Sequence, residues 1–230
     1  DEDSQRQQHE LMSSMFCRAT MAKASTDPKI SLLSVVLHEA AHNLGPSGEY
    51  AVAGKTAEVV FGGGLAATLE ELKAQTAALH FPRRLVERTL IPKLEAERVY
   101  IQEVAWAFGH TAQGMYDAGG QPRHYSQLAS IQLGSLIRGG ALAWKTDEVA
   151  ANGSDRGCYE LDFEHFPVVA AALLKQVLEI KARGDRAAAE KLKSDWVDAD
   201  SDWKIARGVI AERWLRAPKA SYVYSIEDVR

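Results

Sequence analysis

The chain has 230 residues, 46% hydrophobic and 25% charged, with 27 basic and 31 acidic side chains and a formal net charge of -4. These proportions belong to a globular chain and exclude a mainly disordered or collagen-like one. No basic block offers a surface for a phosphate backbone, so no nucleic-acid partner is expected. The most apolar stretch, residues 30–37, is far short of the roughly 20 residues that span a bilayer.

Helical periodicity dominates in chain order. Residues 4–24 are polar and Met-rich, with Leu11, Met15 and Ala19 four apart. Thr26-Asp27-Pro28 reads as a helix start, with the proline near the first helical position. A strongly apolar helix then covers residues 30–43, with Leu32, Leu33, Val35, Val36 and Leu37 expected in its buried face. It stops at Gly45-Pro46. Residues 47–64 carry five glycines and form a loop region, with a short extended or helical piece at 57–61.

The next helix is expected over residues 65–80, stopped by Pro82. Residues 85–115 are helical with a break near Pro92, and Ala118 to Pro122 make a turn. Residues 124–144 are apolar at helical spacing, and Asn152-Gly153-Ser154 is a loop. An amphipathic helix spans residues 166–183 and ends at Gly184. Asp185 caps a shorter one through Trp196. The last helix covers residues 202–215, and the tail around Tyr222 and Tyr224 reads as extended. No run of alternating strands and no repeat is present. The expected fold is mainly α, a single packed helical array over residues 1–230.

Cys17 and Cys158 are the two cysteines. They are no disulfide framework; the expectation is two buried free thiols, with one disulfide as the alternative. The chain starts Asp1-Glu2-Asp3, without Met or any basic segment followed by an apolar one. It reads as a processed or truncated chain whose compartment, cytoplasm or periplasm, is open.

The chemistry concentrates in His38-Glu39-Ala40-Ala41-His42, an H-E-x-x-H pentapeptide. Residues four apart on a helix lie on one face, so two imidazoles can reach one metal ion. Glu39 lies beside them as a general base. An open zinc site needs a third protein ligand. No histidine follows closely, and Glu70-Glu71 on the next helix offers a carboxylate. Periodicity alone does not choose between the two, since both border the apolar set of Leu65, Leu69, Leu72 and Leu79. The bland alternatives are two satisfied helix histidines and a solvated glutamate pair.

His80, His110 and His165 are scattered and expected to be capped or exposed. Trp106, Trp144, Trp196, Trp203 and Trp214 are expected as packing residues. Gly62-Gly63-Gly64 lacks the Lys-Ser or Lys-Thr of a phosphate loop, and Ser126 has no paired base.

Four segments together resemble the dipeptidyl peptidase III family. His38-Glu39-Ala40-Ala41-His42-Asn43-Leu44-Gly45 is similar to its H-E-x-x-x-H-x-x-G motif, and Glu70-Glu71-Leu72-Lys73-Ala74-Gln75 to its E-E-x-R-A-E segment. His124-Tyr125-Ser126-Gln127-Leu128 resembles the start of its H-x-x-A-R-x-x-I helix. Lys181-Ala182-Arg183-Gly184-Asp185 resembles its K-x-x-G-D helix pair. The order holds over some 160 residues, from about Leu33 to Trp196.

The resemblance implies one zinc ion per chain held by His38, His42 and Glu71, with Glu39 as general base. It implies Glu70 as the carboxylate that orients a ligand histidine, and His124 as the group that steadies the transition state. Without it, His124 reads as an exposed helix-start residue. The implied molecule is the helical zinc lobe of a two-lobed metallopeptidase that cleaves oligopeptides near the amino terminus. This chain would be its carboxy-terminal part, and a preceding lobe or a partner chain would complete the cleft. A zinc-binding scaffold without activity, and a hydrolase of non-peptide substrates, are the alternatives. Four departures stand out. The zinc motif is one residue shorter than the family's, and the gap from His42 to Glu71 is shorter. Gln127-Leu128 replaces the family's Ala-Arg. Only 37 residues precede the motif.

Overall fold

The computed structural model describes residues 2–47, 49–199 and 202–216. The tail read as extended around Tyr222 and Tyr224 lies outside the described residues. Helices α1 (Glu2–Met15) and α2 (Arg18–Met21) lead into α3 (Pro28–His42), which carries the H-E-x-x-H residues. Its start follows from local chemistry. Asp27 is the N-cap, its side chain accepts from the Lys29 N–H at 2.9 Å, and Pro28 occupies the first turn, where its missing N–H costs nothing.

The short α4 (Ala57–Phe61) is followed by α5 (Gly63–Glu87), the longest helix, which lies along α3. It runs past Pro82 instead of stopping there. A proline inside a helix removes one hydrogen bond; Leu79 and Pro82 are both buried, and packing outweighs that loss. The break expected near Pro92 falls between α5 and α6 (Lys93–Ala112), with Pro92 as the N-cap residue.

Helix α7 (His124–Arg138) ends at Gly139-Gly140, short of the helix expected to Trp144. Residues 142–149 instead form β1, paired antiparallel with β2 (Arg156–Leu161). Gly140, at φ +76°, turns the chain out of the helix. The Asn152 side chain caps the hairpin turn by accepting from the Ser154 and Asp155 N–H groups. This hairpin is the one sheet among the described residues. Helices α8 (Phe166–Arg183) and α9 (Arg186–Trp196) match the expected starts and stops, and α10 (Asp202–Arg216) covers the described residues of the last expected helix. Gly184 ends α8 in the left-handed region, where a Cβ would meet a Val52 methyl at 3.1 Å. Asp185 then caps α9 by accepting from the Ala188 N–H at 3.0 Å.

The core joins α1, α5, α6, α7, α8 and the hairpin. Around the hairpin it is aromatic: Phe108 meets Phe16 and Tyr159 at centroid distances of 5.5 and 5.1 Å, and Tyr159 meets Trp144 at 4.8 Å. The buried Arg213 of α10 donates to the carbonyls of Ser14, Arg156 and Gly157, tying α1, the hairpin and α10 together. Trp196 lies against Gly134 of α7, where a Cβ would come within 2.1 Å of the indole.

Cys17 and Cys158 are joined as a disulfide, correcting the expectation of free thiols. The sequence carries no sign that they meet, since they lie 141 positions apart. The fold does: Cys17 N–H donates to the Tyr159 carbonyl, which sets Cys17 beside β2. A second correction concerns α3. Its buried residues are Ile30, Ser34, His38 and Ala41, whereas Leu32, Val35 and Val36 are all more than half exposed. The polar stripe faces α5 and α6 because partners for it wait there.

Candidate metal centre

His38 and His42 sit one turn apart on α3, their rings edge to face at a centroid distance of 4.9 Å. Their Nε2 atoms approach to 3.1 Å. Glu71 of α5 brings Oε2 to 3.4 Å from His38 Nε2 and 3.9 Å from His42 Nε2. The three side chains thus bring their ligand atoms within 4.8 Å of one another.

The neighbours decide what these atoms offer. His42 Nδ1 lies 2.9 Å from Glu70 Oε1, and His38 Nδ1 lies 2.6 Å from Gln75 Oε1. Both partners are acceptors, so both Nδ1 atoms carry the proton and both Nε2 atoms turn a lone pair inward. Glu71 Oε2 is buried without a hydrogen-bond partner among the described residues. Two imidazole lone pairs and an orphaned carboxylate oxygen therefore converge with no donor between them. Such a set fits a divalent cation, and two nitrogens with one carboxylate oxygen are the protein ligands of an open zinc site.

Glu70 and Glu71 are neighbours on α5 and point about 100° apart. Glu71 faces the histidine pair. Glu70 turns to His42, to Lys73 at 2.9 Å and to Lys181 of α8 at 2.6 Å. Burial alone would raise its carboxyl, but hydrogen bonds from Lys181, His42 and Lys73 hold it at about 2. It is therefore a firmly ionised acceptor for the His42 ring. Burial lowers the pKa of Lys181, and Glu70 counters that. Lys73 is 1% exposed and also donates to the carbonyls of His42, Leu44 and Pro46, closing the end of α3.

Glu39 is exposed, and the expectation that it lies in a buried helix is corrected with the rest of that face. It lines a cavity of about 270 Å³ together with His38, Glu103, Trp106, His110 and Tyr125. The cavity opens directly beside the ligand cluster, so Glu39 faces the space a small molecule would enter. Glu103 of α6 is buried at its floor, where desolvation raises its pKa to about 7 against hydrogen bonds from Ser34 and Gln75. Burial also lowers the pKa of His110, whose ring lies tilted against Trp106 at a centroid distance of 4.2 Å.

His124, at the start of α7, lies with Nδ1 2.9 Å from Thr68 Oγ1. The Thr68 hydroxyl donates to the Gly64 carbonyl at 3.0 Å and so accepts from the His124 Nδ1–H. Thr68 is one turn before Glu71 on α5, so His124 sits on the face that carries the ligand cluster.

Sequence reasoning missed Tyr125, which lines the cavity beside Glu39; partial burial first, then the Glu71 carboxylate, raise its pKa. It also missed the face of α6 made by Glu103, Trp106 and His110, although their i, i+3, i+7 spacing is a visible signal. Lys181 was carried only by the resemblance of its segment.

No family model matches the sequence, and no curated protein matches it. Solved structures do match. The dipeptidyl peptidase III structure from Caldithrix abyssi aligns with 92% of this chain at a TM-score of 0.74 and 17% identity. The dipeptidyl-peptidase III structure from Corallococcus sp. strain EGB aligns with 92% at a TM-score of 0.72 and 21% identity. The aligned parts are 36% and 35% of those chains, so this chain spans about a third of their length. The helical array and its hairpin therefore have the fold of a dipeptidyl peptidase III-like lobe.

Proposed function

We propose that this chain is the zinc-binding lobe of a metallopeptidase, with one zinc ion held by His38, His42 and Glu71. The observation that carries the reading is the convergence of His38 Nε2, His42 Nε2 and the orphaned Glu71 Oε2, with Glu39 lining the adjoining cavity. When bound, the zinc ion would supply Lewis acidity toward a peptide carbonyl and a nearby water. Glu39 takes the proton from that water as it attacks the carbonyl carbon, and returns it to the departing amine nitrogen. Glu70 and Gln75 hold the two histidine rings by their Nδ1–H groups. His124, fixed through Nδ1 by Thr68, steadies the charge that develops on the carbonyl oxygen.

The substrate in this reading is an oligopeptide shortened from its amino terminus, as the names of the matched structures suggest. Because the chain spans about a third of those structures, the peptidase would be two-lobed and a preceding lobe or partner chain would complete the cleft. The second reading is a zinc-binding scaffold without activity. No helix among the described residues is long and apolar enough to cross a membrane. The buried Cys17–Cys158 disulfide favours an oxidising compartment, the periplasm over the cytoplasm.

Glu39→Gln separates the two readings. The variant should keep its zinc by metal analysis and cleave a peptide library about 10²–10⁴-fold more slowly than the wild type. Equal cleavage by both would overturn the peptidase reading, and unchanged zinc in His38→Ala and Glu71→Ala would overturn the metal centre.

A further inference from the structure

Helix α6 reaches the ligand cluster through one chain of polar contacts. His38 Nδ1 meets Gln75 Oε1 at 2.6 Å, the Gln75 amide nitrogen donates to one Glu103 oxygen, and the Ser34 hydroxyl donates to the other. Ser34, Gln75, Glu103 and His38 are all less than a tenth exposed. We infer that Glu103 is a positioning residue that fixes the polarity of the Gln75 amide and thereby the ring tautomer with which His38 meets the metal. The inference rests on the proposed metal centre.

The two ligand histidines are held differently. His42 donates to a carboxylate, Glu70, either of whose oxygens would serve. His38 donates to an amide, which has one accepting end and one donating end. Turned by half a rotation, Gln75 would donate to His38 Nδ1. That nitrogen would then have to carry the lone pair, and the ring proton would move to Nε2, the atom that faces Glu71 and His42. A ligand histidine needs an acceptor at its outer nitrogen. An amide supplies one only while something holds its NH2 group elsewhere. The Glu103 oxygen does so. The Ser34 hydroxyl, one turn before His38 on the same helix, pins Glu103 in turn. Ligand helix, amide and carboxylate thus close a ring of contacts in which every polar end has a complement.

The test is a double-mutant cycle read as zinc affinity, measured by competition with a chromophoric chelator. Glu103→Leu removes the acceptor that holds the amide, and should weaken zinc binding by about 10-fold or more. Gln75→Glu places a carboxylate against His38, and a carboxylate has no wrong way round. In that background Glu103→Leu should change zinc affinity by no more than about twofold. An equal loss in both backgrounds would mean that Glu103 acts only through packing, and would overturn the inference. So would wild-type affinity in the single variant. Should thermal melting show that Glu103→Leu does not fold, Gln75→Met and Gln75→Glu carry the test: Met must weaken binding and Glu must keep it, and retention by Met overturns the relay. His38→Ala is the control for the metal centre itself. If it keeps its zinc, the centre fails and takes the relay with it; if it loses zinc while Glu103→Leu does not, the relay alone fails.

Discussion

The two ends of this molecule are held together by different physics. Where α3, α5, α6 and α8 meet, the interior is polar: Lys73, Lys181, Gln75, Glu103 and Ser34 are buried there, each with partners. Where α1, α10 and the β1–β2 hairpin meet, the interior is aromatic and is closed by the Cys17–Cys158 disulfide. Buried polar groups cost free energy unless each is matched. The first end therefore depends on protonation states, and the second on a covalent link that pH does not touch. A domain can place a demanding charged centre in its interior when another part of the same core is secured independently.

Breaking the hairpin end should give the largest change in stability. The disulfide closes a loop of 141 residues. A loop of that length is worth up to about 5 kcal/mol. Cys17→Ser with Cys158→Ser should lower the melting temperature by about 10–20 °C while zinc affinity stays within about twofold. A parallel fall in zinc affinity would show that the ends are not independent.

The polar end should respond to pH instead. The folded Glu103 carboxyl is raised to about 7 from its ordinary 4.5, so the folded state binds the proton more tightly than the unfolded chain. The Glu103 contribution to stability is therefore fully present below about 4.5 and is lost as pH rises through about 7, an effect of up to about 3 kcal/mol. Melting of the metal-free protein between pH 4.5 and 7.5 should show this slope, and Glu103→Gln should flatten it. An identical slope in the variant would place the proton elsewhere.

The smallest effect sharpens the contrast. Asp185→Ala removes the α9 cap and should cost about 1 kcal/mol by thermal or denaturant unfolding. Neither zinc affinity nor the pH slope should follow it, because the cap touches neither end's chemistry.

Local chemistry was legible in the sequence, and long-range partnership was not. Asp27-Pro28, Gly184 and Asp185 announce helix ends because each acts on its own backbone within a few residues. Helix α3 was read correctly as a helix and wrongly as to its face. Its apolar residues are nearer solvent, and its polar stripe is buried, because Gln75 and Glu103 lie 37 and 65 residues beyond His38 in sequence and meet it only in space. Pro82 looked like a stop because the burial that outweighs it is tertiary. The hairpin was hidden for the same reason, since Leu142 to Trp144 is as apolar as the helix before it. Of the site, His38, His42 and Glu39 stand out by spacing. Glu70 and Glu71 could be told apart only by resemblance, Tyr125 shows only by its place in the cavity, and Glu103 shares a helix face with Trp106 and His110 whose partners are visible only in space.

Lys73 has a consequence for handling the protein. Its ammonium sits among the carbonyls of His42, Leu44 and Pro46 and the Glu70 carboxylate, a coordination shell of oxygens that elsewhere would hold a loose alkali ion. Here the cation is tethered to the chain by its own stem. Chelators and dialysis act on ions free to exchange, and they cannot remove this one. The segment that follows α3 thus carries a fixed cation of its own, whatever the neighbouring histidines hold.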